Sequence, residues 1–107
     1  MKKSKAASNL NDLSSLEAGA SDVASLLRAM ANERRLMLLC LLIEHGERTA
    51  GALAEGVGLS PSATSQHLAK MREENLVACR REAQTIHYRI ADPRTTRLVA
   101  LLKELYC

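Results

Sequence analysis

A mainly α-helical domain carrying one β-hairpin is predicted by three observations. Phe and Trp are absent and Tyr occurs twice, so the core must be built from Leu, Val, Ile, Ala and Met, which suits packed helices. Apolar residues recur at helical spacing through most of the chain. Only between Val77 and Ile90 does the period become strand-like. The expected order is four helices, two strands and a final helix. With 107 residues, a single domain is expected, large enough for one adequate core.

Residues 1–18 are rich in Lys, Ser and Asn with scattered leucines, and read as a flexible N-terminal arm with a helical end near Leu13 and Leu16. Residues 19–107 form the folded unit. From Ser21, a plausible cap, Val23, Leu26, Leu27 and Met30 recur at i, i+3, i+4 and i+7 and define an amphipathic helix. Asn32 caps the next helix. Its run LMLLCLLI, Leu36 to Ile43, is apolar all round and predicts a central helix buried on every side, ending near His45 and Gly46.

Thr49 opens a short helix that Gly56 and Gly58 allow to end and turn sharply. Ser60 and Pro61 then start another: the serine hydroxyl accepts an orphan backbone N–H, and proline loses no bond at the first helical position. Two helices joined by a tight turn are a helix-turn-helix pattern. On the second, Thr64, His67, Leu68 and Met71 fall on one side and Ser62, Ser65, Gln66, Ala69 and Glu73 on the other. The first side packs and the second is free. Small hydroxyls and an amide can approach base edges and phosphates in a major groove where long apolar residues could not. A solvated serine-rich face would look the same, so this helix alone does not decide.

The next segment does. Val77–Arg81 and Thr85–Ile90 read as strands around a polar turn at Glu82–Gln84, and Arg80, Arg81 and Arg89 put positive charge on the hairpin. A basic hairpin directly after a recognition helix is the wing of a winged helix, reaching flanking phosphates or the minor groove. Asp92 and Pro93 start the last helix, where Leu98, Leu101, Leu102 and Leu105 form a stripe running to Tyr106 and Cys107. The stripes on the first and last helices exceed what one small domain covers, so a homodimer is expected. Its two-fold axis would match a palindromic double-stranded DNA operator.

The charge of +3 and pI of about 9.0 are compatible with nucleic acid without establishing it. No apolar run is long enough to span a bilayer, and MKKSKAASNLNDLSS lacks the apolar centre of a signal peptide, so a cytoplasmic protein with no membrane role is expected. No paired acid and base or activated nucleophile points to an enzyme, and no cofactor is expected. Three cysteines are unsuited to a closed disulfide framework and fit reduced thiols or a redox pair.

The strings AMANERRLMLLCLL, LSPSATSQHLAKMREENLV and RREAQTIHYRI make the chain, from about Ser21 to Cys107, resemble the ArsR family of dimeric winged-helix repressors. The resemblance implies that the helix-turn-helix and wing bind an operator, that the first and last helices form the dimer, and that an inducer bound elsewhere lowers DNA affinity. It points to Ser62, Ser65 and Gln66 as base-facing, in agreement with the free face above. Pro61 and Ala63 stand where many members are polar. His67, at the edge of the packing face, either hydrogen-bonds locally or touches a phosphate. With it, Lys70 on the helix and Arg80, Arg81, Gln84 and Thr85 on the hairpin complete the expected DNA-contacting set.

Metal-sensing members carry thiol clusters on the first helix of the helix-turn-helix or carboxylate and histidine sets on the last helix. Here Thr49 to Gly58 contains no Cys or His and Asp92 to Cys107 contains no His, so no metal site is expected. Cys40 and Cys107 instead resemble the pair of the sulfide- and persulfide-responsive branch, which implies that sulfane sulfur joins them and releases the operator. By itself Cys40 reads as a small buried hydrophobe, and only the resemblance gives it a sensing role. Cys79 has no evident partner, His45 suits a helix end, and His87 has no assigned role. The rival readings are a regulator under redox-independent or metal-linked control, an activator that displaces a silencer, and a helical interaction module whose helix-turn-helix is only structural.

Overall fold

The computed structural model describes residues 9–107. Eight elements succeed one another: α1 (Asn9–Met30), α2 (Glu33–His45), β1 (Arg48–Thr49), α3 (Ala50–Val57), α4 (Pro61–Glu73), β2 (Val77–Glu82), β3 (Thr85–Ile90) and α5 (Pro93–Tyr106). The sheet order is β1-β3-β2, antiparallel throughout. The expected fold is found, with the two-residue strand β1 added at the sheet edge.

The starts of α2, α3, α4 and α5 each have a local cause. Asn32 Oδ1 accepts from Arg35 N at 3.1 Å, Thr49 Oγ1 from Ala52 N at 3.2 Å, Ser60 Oγ from Ala63 N at 3.1 Å, and Asp92 Oδ1 from Arg94 N at 2.8 Å. Pro61 and Pro93 each occupy the first helical turn, where no backbone donor is needed. Gly58, left-handed at φ 71°, ends α3 as expected. Gly56 has a different task from the one expected of it. It lies inside α3, and a Cβ there would stand 2.6 Å from Leu41 Cδ1, so its bareness lets α3 approach α2.

Leu38, Leu39 and Leu42 of α2, Leu53 of α3, Leu68 and Met71 of α4, Leu76, Val77 and Val99 form the core, all essentially without solvent contact. Two expectations are corrected around it. The first concerns the start of α1: it begins at Asn9, so the helical end expected near Leu13 and Leu16 runs on unbroken, and Ser21, expected as a cap, lies inside the helix. No Pro interrupts this stretch, and the exposed Gly19 and Ser21 are tolerated in mid-helix at modest cost. The rest of the expected arm, residues 1–8, lies outside the described residues. The second concerns α2, which is not buried on every side. Its cover comes from α3, α5 and β3, leaving Met37 39% exposed and Leu36, Cys40, Leu41 and Ile43 half-buried.

α1 reaches the core only through its last turn, where Ala29 and Met30 are buried and Leu26 packs beside them. Further back, Leu13, Leu16, Val23 and Leu27 are about half exposed or more. On α5, Leu101, Leu105 and Tyr106 are likewise open. A helix of 22 residues is about 33 Å long. Projecting from the body, it contributes to a long axis of 53 Å against 21 Å for the short one.

Candidate functional site

α4 presents one packed row and one open row. Thr64, Leu68 and Met71, at i, i+4 and i+7, are buried against α3 and β2. Ser62, Ser65, Gln66 and Ala69, at i, i+3, i+4 and i+7, are exposed together, forming a low, polar ridge free of large side chains. Lys70 is exposed at its flank, 4.0 Å from Glu73. A ridge of this height and polarity fits a major groove, and the helix that carries it is pinned from behind by an apolar core.

His67 departs from the exposed row. It is half-buried, and its Nδ1 accepts from Arg35 Nε at 3.5 Å, a bond to a distant helix rather than the local one expected. The same guanidinium donates to the Ala29 carbonyl at 3.0 Å and lies 3.7 Å from Glu74 Oε1. Arg35, on the first turn of α2, thus ties the end of α1 to the middle and end of α4. Its partner His67 is 32 positions away, so nothing local in the sequence signals the tie.

The hairpin also sorts its charges. Opposed pairs in the register are Arg80 with His87, Arg81 with Ile86 and Glu82 with Thr85, so Arg80 and Arg81 point to opposite faces. Arg80 departs from the free cation expected: Nε donates to both Glu47 carboxylate oxygens at 3.0 Å, and Nη2 lies 3.0 Å from Oε1. Those hydrogen bonds hold the Glu47 carboxyl below the ordinary carboxylate range. Glu82 also faces Arg80 at 3.7 Å and His87 at 3.5 Å. Arg81 is exposed with no ion-pair partner among the described residues, and Gln84 and Thr85 are exposed at the tip. Ala83 makes that tip tight, with φ 56°.

On the other side of α2 lies a cleft of about 370 Å³. Cys40 and Cys107 both line it, with Met37, Leu41, Glu44 and Lys103 among their neighbours. Both are free thiols, Cys40 half-buried and Cys107 exposed. Burial pushes the Cys40 thiol up, the facing Cys107 and Glu44 push it further, and Lys103 pulls it down. Lys103 Nζ donates to Glu44 Oε2 at 2.9 Å across the cleft. That bond lowers the Glu44 carboxyl and raises the lysine. Cys79 is elsewhere, opposite Tyr88 in the hairpin. No group of three or more His, Cys, Asp or Glu among the described residues is gathered closely enough to hold a metal ion. No helix among them is long and apolar enough to cross a membrane.

A family profile described as "Bacterial regulatory protein, arsR family" matches residues 32–78, from the cap of α2 to the start of the wing. The chain is 44% identical to the HTH-type transcriptional regulator YgaV of Escherichia coli over 92% of this chain and 99% of that protein. It belongs to the ArsR family. It is also 43% identical to the transcriptional activator HlyU of Vibrio cholerae, over 90% of this chain and 88% of that one. With the biofilm growth-associated repressor of Xylella fastidiosa it shares 36% identity over 86% and 80%. Among solved structures, reduced HlyU from V. cholerae superposes with a TM-score of 0.81 at 43% identity, covering 87% of this chain and 97% of that one. The homodimeric winged helix-turn-helix DNA-binding domain of a Mycobacterium bovis protein gives 0.74 at 37% identity, covering 83% and 82%. This ArsR-family chain is therefore a DNA-binding transcriptional regulator with a winged helix-turn-helix.

Proposed function

We propose that this ArsR-family regulator is a cytoplasmic, non-enzymatic repressor that binds a palindromic operator as a homodimer and lets go when reactive sulfur joins Cys40 to Cys107. The observation that carries the reading is that these two thiols, 67 positions apart in sequence, line one cleft between α2 and α5. Dimerisation is supported by the open apolar faces of α1 and α5 and by the homodimeric M. bovis relative. In the dimer each ridge of Ser62, Ser65 and Gln66 meets one half-site, with Arg81, Gln84 and Thr85 on flanking phosphates.

The exposed Cys107 is the attacking thiol. Its thiolate takes the outer sulfur of a persulfide RSSH; the S–S bond breaks, RS⁻ leaves with the electron pair, and Cys107 carries –S–SH. The Cys40 thiolate then attacks the inner sulfur and expels HS⁻. Two thiols are oxidised to a disulfide while the sulfane sulfur is reduced to sulfide. A bridge between α2 and α5 changes their spacing, and α2 holds α4 through Arg35.

The test is operator affinity of the reduced protein before and after polysulfide, with intact mass recorded on the same samples. Cys40→Ser should bind the operator normally and fail to release it. Affinity unchanged while the thiols react would overturn the sensor reading. A second reading, activation by displacing a silencer, is favoured by the likeness to HlyU, whose name is that of an activator. A promoter that loses transcription when the gene is deleted would support it.

A further inference from the structure

The thiols do not face each other alone. On α2, Glu44 follows Cys40 by one turn, and on α5, Lys103 precedes Cys107 by one turn, so each helix presents a cysteine and a charge at i and i+4 on the same side. The two helices put like with like: Cys40 and Cys107 line the cleft together, and one turn along Lys103 Nζ meets Glu44 Oε2 at 2.9 Å. The ion pair and the thiol pair therefore share one helix register. A slip of α5 by a turn would break both.

Charge in the cleft is sparse. α2 contributes the carboxylates Glu33 and Glu44, α5 contributes Lys103 beside Cys107, and α3 contributes only Gly56 and Val57. Lys103 is thus the one cation in the lining among the described residues, and it stays protonated because the Glu44 bond favours its charged form. A thiol that burial and neighbouring negative groups keep neutral reacts slowly, since the thiolate is the nucleophile. One facing ammonium offsets that. We infer that Lys103 is the positioning residue of the thiol cleft, its ammonium fixed by Glu44 so that it both registers α5 against α2 and favours attack by Cys40. The inference deepens the proposed sensor and rests on that reading. In direction it agrees with the electrostatics at Cys40, where Lys103 opposes the effects of burial, Cys107 and Glu44.

The test isolates Cys40 in the full chain carrying Cys79→Ser and Cys107→Ser, and tracks its alkylation by iodoacetamide from neutral to alkaline pH by mass. The step forms one S–C bond, breaks C–I and releases iodide, and needs neither DNA nor sulfane sulfur. Lys103→Met should move the midpoint of the rate profile up by about one pH unit, read as roughly tenfold slower alkylation below the midpoint. Lys103→Arg should restore most of the rate. A midpoint unmoved by Lys103→Met, or moved as far by Lys103→Arg, overturns the inference, including where the variants melt earlier. The sensor reading falls on a separate result, release of the operator by Cys40→Ser, whatever the alkylation profile does.

Discussion

Arg35→Leu removes the guanidinium that joins α1, α2 and α4, and its cost can be worked from the contacts. The bond to the Ala29 carbonyl is short at 3.0 Å, charge-assisted and part-buried, the class worth about 1.5–3 kcal/mol. The His67 contact at 3.5 Å is at the outer limit of a hydrogen bond and adds little. Glu74 is 3.7 Å away with a side chain 38% exposed, a pair worth about 0–1 kcal/mol. Together they come to about 2–3 kcal/mol. For a domain of this size each kcal/mol moves the melting temperature by about 4 °C, so a fall of about 8–12 °C is expected in thermal melts by far-UV circular dichroism.

Both proteins must be melted at the same concentration, because association of folded chains raises the apparent stability. Arg35→Lys should fall in between, keeping the charge but not the fork that reaches two partners. At a temperature where all three are folded, Arg35→Leu should bind operator DNA more weakly, since α4 has lost a support on its inner side. A melting temperature within about 2 °C of the parent would refute the reasoning: the Ala29 carbonyl would then be satisfied by other groups, and the tie would carry no load.

Three further outcomes can be checked with the same materials. Because Arg80 holds the folded Glu47 carboxyl below its ordinary value of 4.5, the pair's stabilisation is complete above that pH and is lost as pH falls through the lower folded value. Melts should therefore separate the parent from Glu47→Gln at neutral pH and converge in acid, and an equal gap at both refutes the pairing. Ala83→Gly relieves a left-handed alanine at φ 56° and should raise the melting temperature by about 2–4 °C, a gain of about 0.5–1 kcal/mol; a loss would contradict it. Arg81→Ala should weaken operator binding and flatten its salt dependence by about one ion, while Arg80→Ala changes the slope less because Glu47 already neutralises it; equal slopes would sink the distinction.

The parts of the fold that were legible in the sequence are those fixed within four residues. Asn32, Thr49, Ser60 and Asp92 each cap a helix through a bond two or three positions ahead, so their residue type announces their role. The packed row of α4 was legible too, because helical geometry alone puts Thr64, Leu68 and Met71 on one side. Burial is a different matter. The run Leu36 to Ile43 is apolar throughout, yet Met37 is open, since composition cannot say how many neighbours arrive to cover a helix. β1 has two residues, too few for an alternating pattern, and exists because β3 offers it an edge. The ion pairs were illegible for the same reason: Arg80 meets Glu47 at a separation of 33 and Lys103 meets Glu44 at 59. Arg80 and His67 were expected among the DNA-contacting residues, and in the structure their side chains meet Glu47 and Arg35.

Within the proposed function, the placement of these partners on α2 decides how a cleft can speak to a ridge. Arg35 and Cys40 are five residues apart, about 7.5 Å along a helix whose core side is locked by Leu38, Leu39 and Leu42. A segment this short, packed this tightly, moves as a rod rather than bending. Joining Cys40 to Cys107 pulls on the same rod whose first turn touches α4 at His67 and Glu74 and is bonded to α1 at the Ala29 carbonyl. The apolar side of α1 is the face offered to a second chain, so one shift of α2 reaches both the angle of the recognition helix and its distance from the partner's. Uncoupling should then be possible without touching a thiol. Arg35→Leu, if it folds and binds, should take up the sulfur bridge with unchanged stoichiometry while the fold-loss of operator affinity on bridging shrinks; a loss as large as the parent's would mean that the signal leaves the cleft through α5 alone.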